Sequence, residues 1–196
     1  MNPPSELAPR QRNAAATQAS ILQAARTQFA RHSYEQVGLR EIAAEVGVNV
    51  ALVIRYFGSK EQLFTEAVAG RFALGPLLES PRNSLGRQLA QYVLQKDSGT
   101  DALDPLLTLL RSASSTHASP VLRASLQEEF IEPLATWLGG EQAHLRASLI
   151  AASLSGLAFT REVLRVESLS GPEVEPLIQW VAPALQAYID GDRSQG

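Results

Sequence analysis

Residues 39–63 read LREIAAEVGVNVALVIRYFGSKEQL, and this stretch decides the fold of the N-terminal part of the chain. Leu39, Ile42 and Val46 recur at helical spacing, so they predict one apolar helix face. Gly47 follows directly, and glycine can turn the chain with a positive φ at no steric cost. The stretch therefore predicts a helix that ends at Gly47, with a second helix directly after it.

The second helix of this pair has one face to bury and one face to present. Val48, Val53 and Phe57 can pack against the preceding helix. The other positions lie on or near the outward side: Asn49, Val50, Ala51, Ile54, Arg55 and Tyr56. Two helices around a tight turn, with such an outward face, are typical of a helix-turn-helix that enters the major groove of DNA.

Further helices are predicted on both sides of this pair. Apolar residues between Ile21 and Phe29 form an amphipathic stripe, so a bracing helix is expected over about residues 17–32. Ser59 is a good N-cap for a fourth helix, which would link the head to the rest of the chain. Residues 1–16, which contain three prolines, are expected to form a flexible arm.

A longer pattern surrounds the motif. Residues 21–48 read ILQAARTQFARHSYEQVGLREIAAEVGV, and RYFGSKEQLF follows at residues 55–64. This order of elements resembles the DNA-binding domain of the TetR family of transcriptional regulators, together with the start of its connecting helix. Three residues depart from the usual family pattern. Ser33 replaces a helix-ending Gly, Gly38 replaces a capping Ser or Thr, and Ile54 replaces a common Tyr and could instead touch a thymine methyl.

The rest of the chain is also predicted to be helical, because it shows no sustained period-two alternation. The expected fold is all-α: a three-helix bundle with a helix-turn-helix, followed by an all-helical regulatory and dimerisation domain. Our predicted boundaries are an arm at residues 1–16, the helix-turn-helix domain at 17–58, a connecting helix at 59–74, and the helical ligand-binding and dimerisation domain at 75–196.

The resemblance implies DNA contacts by the residues at the matching motif positions. These are Arg40, Asn49, Val50, Ala51, Arg55, Tyr56 and Lys60. Lys60 and Tyr56 are expected to bind phosphate, which positions the head without reading sequence. Asn49 could read adenine or bind phosphate.

Arg40 and Arg55 are the candidates for base readout, because one guanidinium can bond O6 and N7 of guanine together. Each arginine could equally contact phosphate, or form a surface salt bridge with Glu41 or Glu45. Double-stranded DNA is the partner that the resemblance implies.

The charge distribution agrees with a DNA-binding head. The net charge is −3, but residues 1–60 hold seven basic and four acidic residues, whereas the remaining residues hold ten basic and sixteen acidic ones. A mildly basic head ahead of an acidic second domain would direct DNA to one end of the molecule.

The resemblance also implies a homodimer, in which two helices of the last third form a four-helix bundle with their mates. A single short recognition helix binds DNA weakly, so a pair that reads a palindrome is expected. The candidate interface residues are Leu145, Leu149, Ala152, Gly156, Phe159, Leu177, Val181 and Leu185. The alternative is that both stripes are only intramolecular core.

A small-molecule effector site in the second domain is implied by the resemblance as well. The residues that could line it are Leu106, Leu110, Arg111, His117, Phe130, Trp137 and Phe159. Ordinary core packing is the alternative for each of them. The sequence does not identify the ligand, although an apolar or amphipathic effector is favoured.

Other functions find little support in the sequence. No nucleotide-binding, hydrolase or metalloprotease motif is present, so an enzyme is not expected. The three histidines are far apart in sequence and the chain has no cysteine, so neither a metal nor a cofactor is expected. No apolar run reaches the roughly 18 residues of a membrane span, which predicts a cytoplasmic protein without membrane contact.

The sequence thus predicts a regulator that represses a palindromic operator and is released by a small molecule. The alternative is a helical ligand-binding or partner-binding protein of the same fold that has lost operator recognition. Gly38 and Ile54 make that alternative conceivable, because both lie close to the predicted DNA face.

Overall fold

The computed structural model describes residues 9–70, 72, 74–95, 108, 111–171 and 173–191. Within these residues the regular secondary structure is helical throughout, so the predicted all-α class is confirmed. None of the described helices is both long enough and apolar enough to cross a membrane.

A compact head forms the N-terminal part. Its elements are α1 (Pro9–Arg31), a 3-10 turn (Tyr34–Gln36), α2 (Leu39–Val46), α3 (Val50–Phe57) and α4 (Lys60–Val68). The rings of Phe29 and Phe64 meet at right angles in its core, with their centres 4.8 Å apart. This edge-to-face contact joins α1 to α4, and α2 and α3 close the bundle with buried Ile42 and Val53.

The first helix is longer than predicted. α1 begins at Pro9, so the expected flexible arm is wrong for residues 9–16, and residues 1–8 lie outside the described part of the chain. Proline suits the first helical turn, and the alanines at positions 14–16 have the highest helix propensity of any residue. One of the three prolines of this segment, Pro9, therefore stands at the start of a helix.

The connecting helix is shorter than predicted. Ser59 caps it as expected, with its hydroxyl accepting the N–H of Gln62 at 3.2 Å. The helix ends at Val68, however, and Gly70 adopts a left-handed φ of 73°. Because such a backbone stops a helix, the predicted span of 59–74 is wrong beyond residue 68.

Six further α-helices of the second domain have both ends within the described ranges. They are α5 (Gly75–Leu78), α6 (Leu85–Leu94), α7 (Ala118–Leu126), α8 (Glu132–Leu138), α9 (Ala143–Ala158) and α10 (Glu175–Asp190). A π turn (Gln127–Ile131) joins α7 to α8, and a second one (Phe159–Val163) follows α9. The wider turns change the direction in which the side chains of these segments point.

α6 and α10 form the tightest helix pair of this domain. A Cβ at Gly86 would lie 2.7 Å from the Ala182 carbonyl oxygen, so only glycine fits this crossing. Buried Leu85, Leu89 and Leu185 pack around it. The crossing fixes α10 against the domain core.

Two arginines hold the ends of α8 and α10 together. Arg82 donates to the carbonyls of Ile189 at 2.7 Å and Leu138 at 3.2 Å, and Arg146 donates to Ile189 at 3.2 Å. The last carbonyls of a helix lack partners within it and carry partial negative charge. The two guanidinium groups therefore satisfy and stabilise both helix ends.

Candidate nucleic-acid interface

The turn between α2 and α3 sets the geometry of the motif. Gly47 adopts a left-handed φ of 73°, and its N–H donates to the Ala44 carbonyl at 3.1 Å. The N–H of Val48 donates to the Ala43 carbonyl at 2.9 Å. This pattern closes α2 and directs the chain into α3 at a sharp angle, as the sequence predicts.

α3 buries one face and presents the other. Val53 and Phe57 are buried against the head, and Val48 is half-buried beside them. Ala51, Ile54 and Arg55 are exposed on the opposite side of α3, with Val50 and Tyr56 half-buried at its edges. The predicted DNA-contacting residues of α3 thus lie together along its outward side.

The two predicted base-reading arginines are exposed and available. Neither Arg40 nor Arg55 forms an ion pair with Glu41 or Glu45 among the described residues. Glu45 instead accepts a hydrogen bond from the amide of Gln28 at 2.7 Å. The salt-bridge alternative for the arginines is therefore not what the structure shows.

Arg55 has an aromatic neighbour. Its guanidinium carbon lies 5.4 Å from the centre of the Tyr56 ring, within the range of a cation–π contact. Arg55 itself is exposed, so its guanidinium is accessible beside this ring.

Asn49 has a structural role that its sequence position only partly indicates. It is the N-cap of α3, and its Oδ1 accepts the N–H of Ala51 at 2.8 Å. A bidentate contact to adenine needs both the oxygen and the amide group of the side chain. Oδ1 keeps a second lone pair beside the NH₂ group, so adenine readout and a phosphate contact both stay predictions for Asn49.

The structure explains the glycine at the N-terminus of α2. Gly38 is the N-cap residue and provides no side-chain hydrogen bond. The carboxylate of Glu41 folds back into the space that a Cβ at position 38 would need. The acidic group thus lies at the N-terminus of α2, where the helix dipole favours negative charge.

Lys60 packs against Tyr34 of the head. Its ammonium nitrogen lies 4.3 Å from the centre of the Tyr34 ring, and burial lowers the pKa of Lys60 below its ordinary value, opposed by the charges of Glu35 and Glu61. The hydroxyl of Tyr34 donates to Glu61 at 3.0 Å, and burial is the main cause that raises the pKa of Tyr34. The phosphate contact of Lys60 stays a prediction.

The second domain forms hydrogen bonds with the head next to Tyr34. The N–H of Tyr34 donates to the hydroxyl of Ser112 at 3.0 Å, and Ser115 donates to Glu35 at 2.6 Å. Both serines are buried. The 3-10 turn of the head is therefore hydrogen-bonded directly to the second domain.

Two of the predicted effector-site residues contact the head at this joint. Arg111 donates to the carbonyl of Ala30, and the ring of His117 stacks on Tyr34 with centres 6.1 Å apart. Their role in an effector site stays a prediction. Their sequence neighbours gave no sign of these contacts, because Arg111 and Ala30 are 81 positions apart.

The other predicted pocket residues are scattered. Leu106 and Leu110 lie outside the described residues. Phe130 is buried, Phe159 is half-buried in the second π turn, and the indole N–H of Trp137 donates to the Leu78 carbonyl at 2.9 Å. A groove of about 590 Å³ nearby is lined by other residues: Leu77, Gln88, Gln91, Tyr92 and Gln95. The effector site stays a prediction.

A second joint lies at the end of α4. The carboxylate of Glu129 accepts the N–H of Gly70 at 2.8 Å and the N–H of Phe72 at 3.0 Å, one with each oxygen. Glu129 stands in the π turn between α7 and α8. A single side chain of the second domain therefore accepts two hydrogen bonds from the backbone segment that follows the connecting helix.

α9 presents an apolar stripe to solvent. Leu145 is 54% exposed and Leu149 is 38% exposed, and Ala152 and Gly156 are exposed further along. Their spacing of four, three and four residues places them on one helix face. This part of the predicted interface is open for a partner.

α10 corrects the prediction in one place and extends it in another. Leu185 is 1% exposed and packs inside its own domain, so its assignment to the dimer interface is wrong. Leu177, Val181 and Phe159 are half-buried. Trp180, which the sequence reasoning missed, is 84% exposed. A Trp in a predicted helix can equally be buried in the core, so the sequence pattern alone did not reveal the exposure of Trp180.

The fold and this outward face together define a helix-turn-helix DNA-binding regulator with a helical second domain. Residues 21–67 match the model of bacterial regulatory proteins of the tetR family. Residues 83–189 match the model of the tetracyclin repressor-like C-terminal domain. The chain belongs to the tetR family.

Similar proteins agree with this assignment. Over 45 residues the chain is 58% identical to the HTH-type transcriptional regulatory protein RaaS of Mycobacterium tuberculosis, a match that covers 23% of this chain. The match spans only about a fifth of the length of that curated relative.

Solved structures cover more of the molecule. A TetR-family regulator from Streptomyces coelicolor A3 is 28% identical, with a TM-score of 0.58 over 90% of this chain and 96% of that one. A TetR-family regulator from Agrobacterium tumefaciens shares the fold at 19% identity, with a TM-score of 0.67 over 86% of this chain and 99% of that one.

Two substitutions at Asn49 separate its capping role from its place at the DNA face. Asn49→Ala should lower the free energy of unfolding by about 1 kcal/mol, because the N–H of Ala51 loses its partner. Asn49→Asp keeps the accepting oxygen, so stability should stay near that of the unmodified protein. Its negative charge should nevertheless weaken DNA binding. Urea unfolding and fluorescence anisotropy with labelled duplex DNA measure the two effects, and equal stability of both variants would contradict the capping role.

Proposed function

We propose that this regulator is a cytoplasmic homodimer that represses transcription from a palindromic operator and is released by a small-molecule effector. The observation that carries the proposal is the outward face of α3, where Ala51, Ile54 and Arg55 are exposed on a helix fixed by the packed head. Such a helix fits the major groove, whose width admits an α-helix.

Dimerisation is supported by the apolar surface of α9 and α10. Leu145, Leu149 and Trp180 are large apolar side chains exposed on one domain, and a surface of this kind commonly marks a protein interface. A second copy can cover it with the same surface in a two-fold arrangement. Two-fold symmetry would place two α3 helices on successive turns of DNA, about 34 to 36 Å apart.

Release is supported by the polar character of the two joints between the domains. The Ser112–Tyr34 and Glu129–Gly70 hydrogen bonds connect the second domain to opposite parts of the head. An effector can act only by binding the DNA-competent and DNA-incompetent arrangements with different affinity. A ligand that shifts the π turn carrying Glu129 would move the end of α4, and with it the spacing of the two heads.

Selection from a random DNA library tests operator binding. The purified protein should enrich an inverted repeat, and its binding should weaken steeply as salt rises, since phosphate contacts release counterions. Arg55→Ala should weaken the best site by roughly 1 to 3 kcal/mol. Arg123→Ala removes an exposed arginine on α7 and is the matched control, for which no change is expected. No enriched motif would refute the proposal.

A charge introduced into the apolar stripe of α9 tests the dimer. Leu149→Glu should weaken dimerisation by about 100-fold or more, because each of two symmetric sites would bury an unpaired carboxylate. Light scattering coupled to size exclusion measures the mass of the particle. Ile54→Glu is the control, since it places the same charge on an exposed apolar residue of the head and should leave the mass unchanged. A Leu149→Glu variant that keeps the unmodified mass would exclude this face as the interface.

The Glu129 joint is tested by removing one of its two acceptors. Gln at this position offers a single acceptor oxygen, so either Gly70 or Phe72 should lose its partner. Operator affinity should fall by at least about fivefold, with helicity and dimer mass unchanged. Glu128→Gln changes the neighbouring exposed carboxylate and is the matched control. Equal operator affinities of the two variants would show that the joint does not position the head.

A further inference from the structure

The reading face of the head contains a large apolar residue that its own fold does not use. Ile54 is 49% exposed, and it is the only large apolar side chain at that level among the head residues whose side chains the structure describes. It lies in the middle of α3, one turn after exposed Ala51. Residues three apart on a helix are neighbours, so the two form one apolar strip.

The polar residues on either side of the strip leave the bases between them without a hydrogen-bonding side chain. Asn49 uses one lone pair of its side-chain oxygen to cap α3, which ties its amide to the first turn of the helix. Arg55 stands on the next position and is turned toward the Tyr56 ring. Between them, Ala51 and Ile54 offer no hydrogen bond to a base or to a phosphate.

DNA offers one apolar group to such a strip. The edges of the bases in the major groove present donors, acceptors and the C5 methyl group of thymine. A half-exposed isoleucine that enters the groove gains by covering a methyl group, whereas any other base edge would lose a hydrogen-bonded water. Successive base pairs lie 3.4 Å apart along the strand, so the strip spans one or two of them.

We propose that Ile54 is a specificity residue that packs against the C5 methyl group of a thymine in each operator half-site, with Ala51 beside it. The inference rests on the proposed entry of α3 into the major groove. The inference identifies one base of each half-site as thymine, at the position where Ile54 contacts the major groove.

Base analogues test this contact without changing any hydrogen bond. In the operator recovered by selection, each dT is replaced in turn by deoxyuridine, which removes only the methyl group. One position per half-site should lose affinity roughly fourfold, and the symmetric double replacement roughly fifteenfold. At the same position, 5-methylcytosine should bind more tightly than cytosine by a similar factor, because it restores the methyl group.

Protein variants assign the effect to one side chain. Ile54→Ala should abolish the difference between thymine and uracil at that position, whereas Leu164→Ala, an equally exposed apolar residue of the second domain, should leave it intact. If the unmodified protein bound every uracil-substituted operator as tightly as the original operator, the inference would be overturned. The proposed operator binding would still stand. A uracil effect of the same size in Ile54→Ala would overturn it as well. Failure to recover any operator would instead refute the proposed function itself.

Discussion

Tyr34 is the residue on which the arrangement of this molecule depends. Its buried ring packs edge-on against Phe64 at 5.1 Å between centres, its hydroxyl bonds Glu61 on α4, and its backbone N–H bonds Ser112 of the second domain. Lys60 lies over the ring. One residue thus joins the core of the head, the connecting helix and the second domain.

Hydrogen bonds connect the head to the second domain at two places, and this has a consequence for regulation. A buried hydrogen bond contributes only about 0.5 to 1.5 kcal/mol net, because water offers alternatives when it breaks. A coupling of about 1 to 3 kcal/mol between two sites is typical of allosteric proteins. Two short hydrogen-bonded joints, at Tyr34 and at Glu129, therefore match the scale of free energy that a small ligand can shift. An apolar joint of the same size would be harder to open.

The recognition face combines three kinds of side chain with separate tasks. Asn49 caps α3, Arg55 lies beside the Tyr56 ring, and Ile54 is left without a partner in its own fold. Under the proposed function, the departure at Ile54 would change which base the head reads, and Arg55 would still be exposed for a contact with DNA. Glu41 replaces part of the missing cap at Gly38, because an acidic group favours the N-terminus of a helix.

The sequence by itself determined the helix-turn-helix, the glycine turn at Gly47, the cap at Ser59 and the burial of Val53 and Phe57. These features depend on residues a few positions apart, where helical period and capping chemistry act directly. The tertiary structure alone decided other features. They are the burial of Leu185, the exposure of Trp180, and the place of Arg111 and His117 beside the head. The hydrogen bonds from Gly70 and Phe72 to Glu129, which lies more than 50 positions later in the sequence, are another such feature. Each of these depends on which distant surfaces meet, and a helical stripe shows only that a face will be covered, not what covers it.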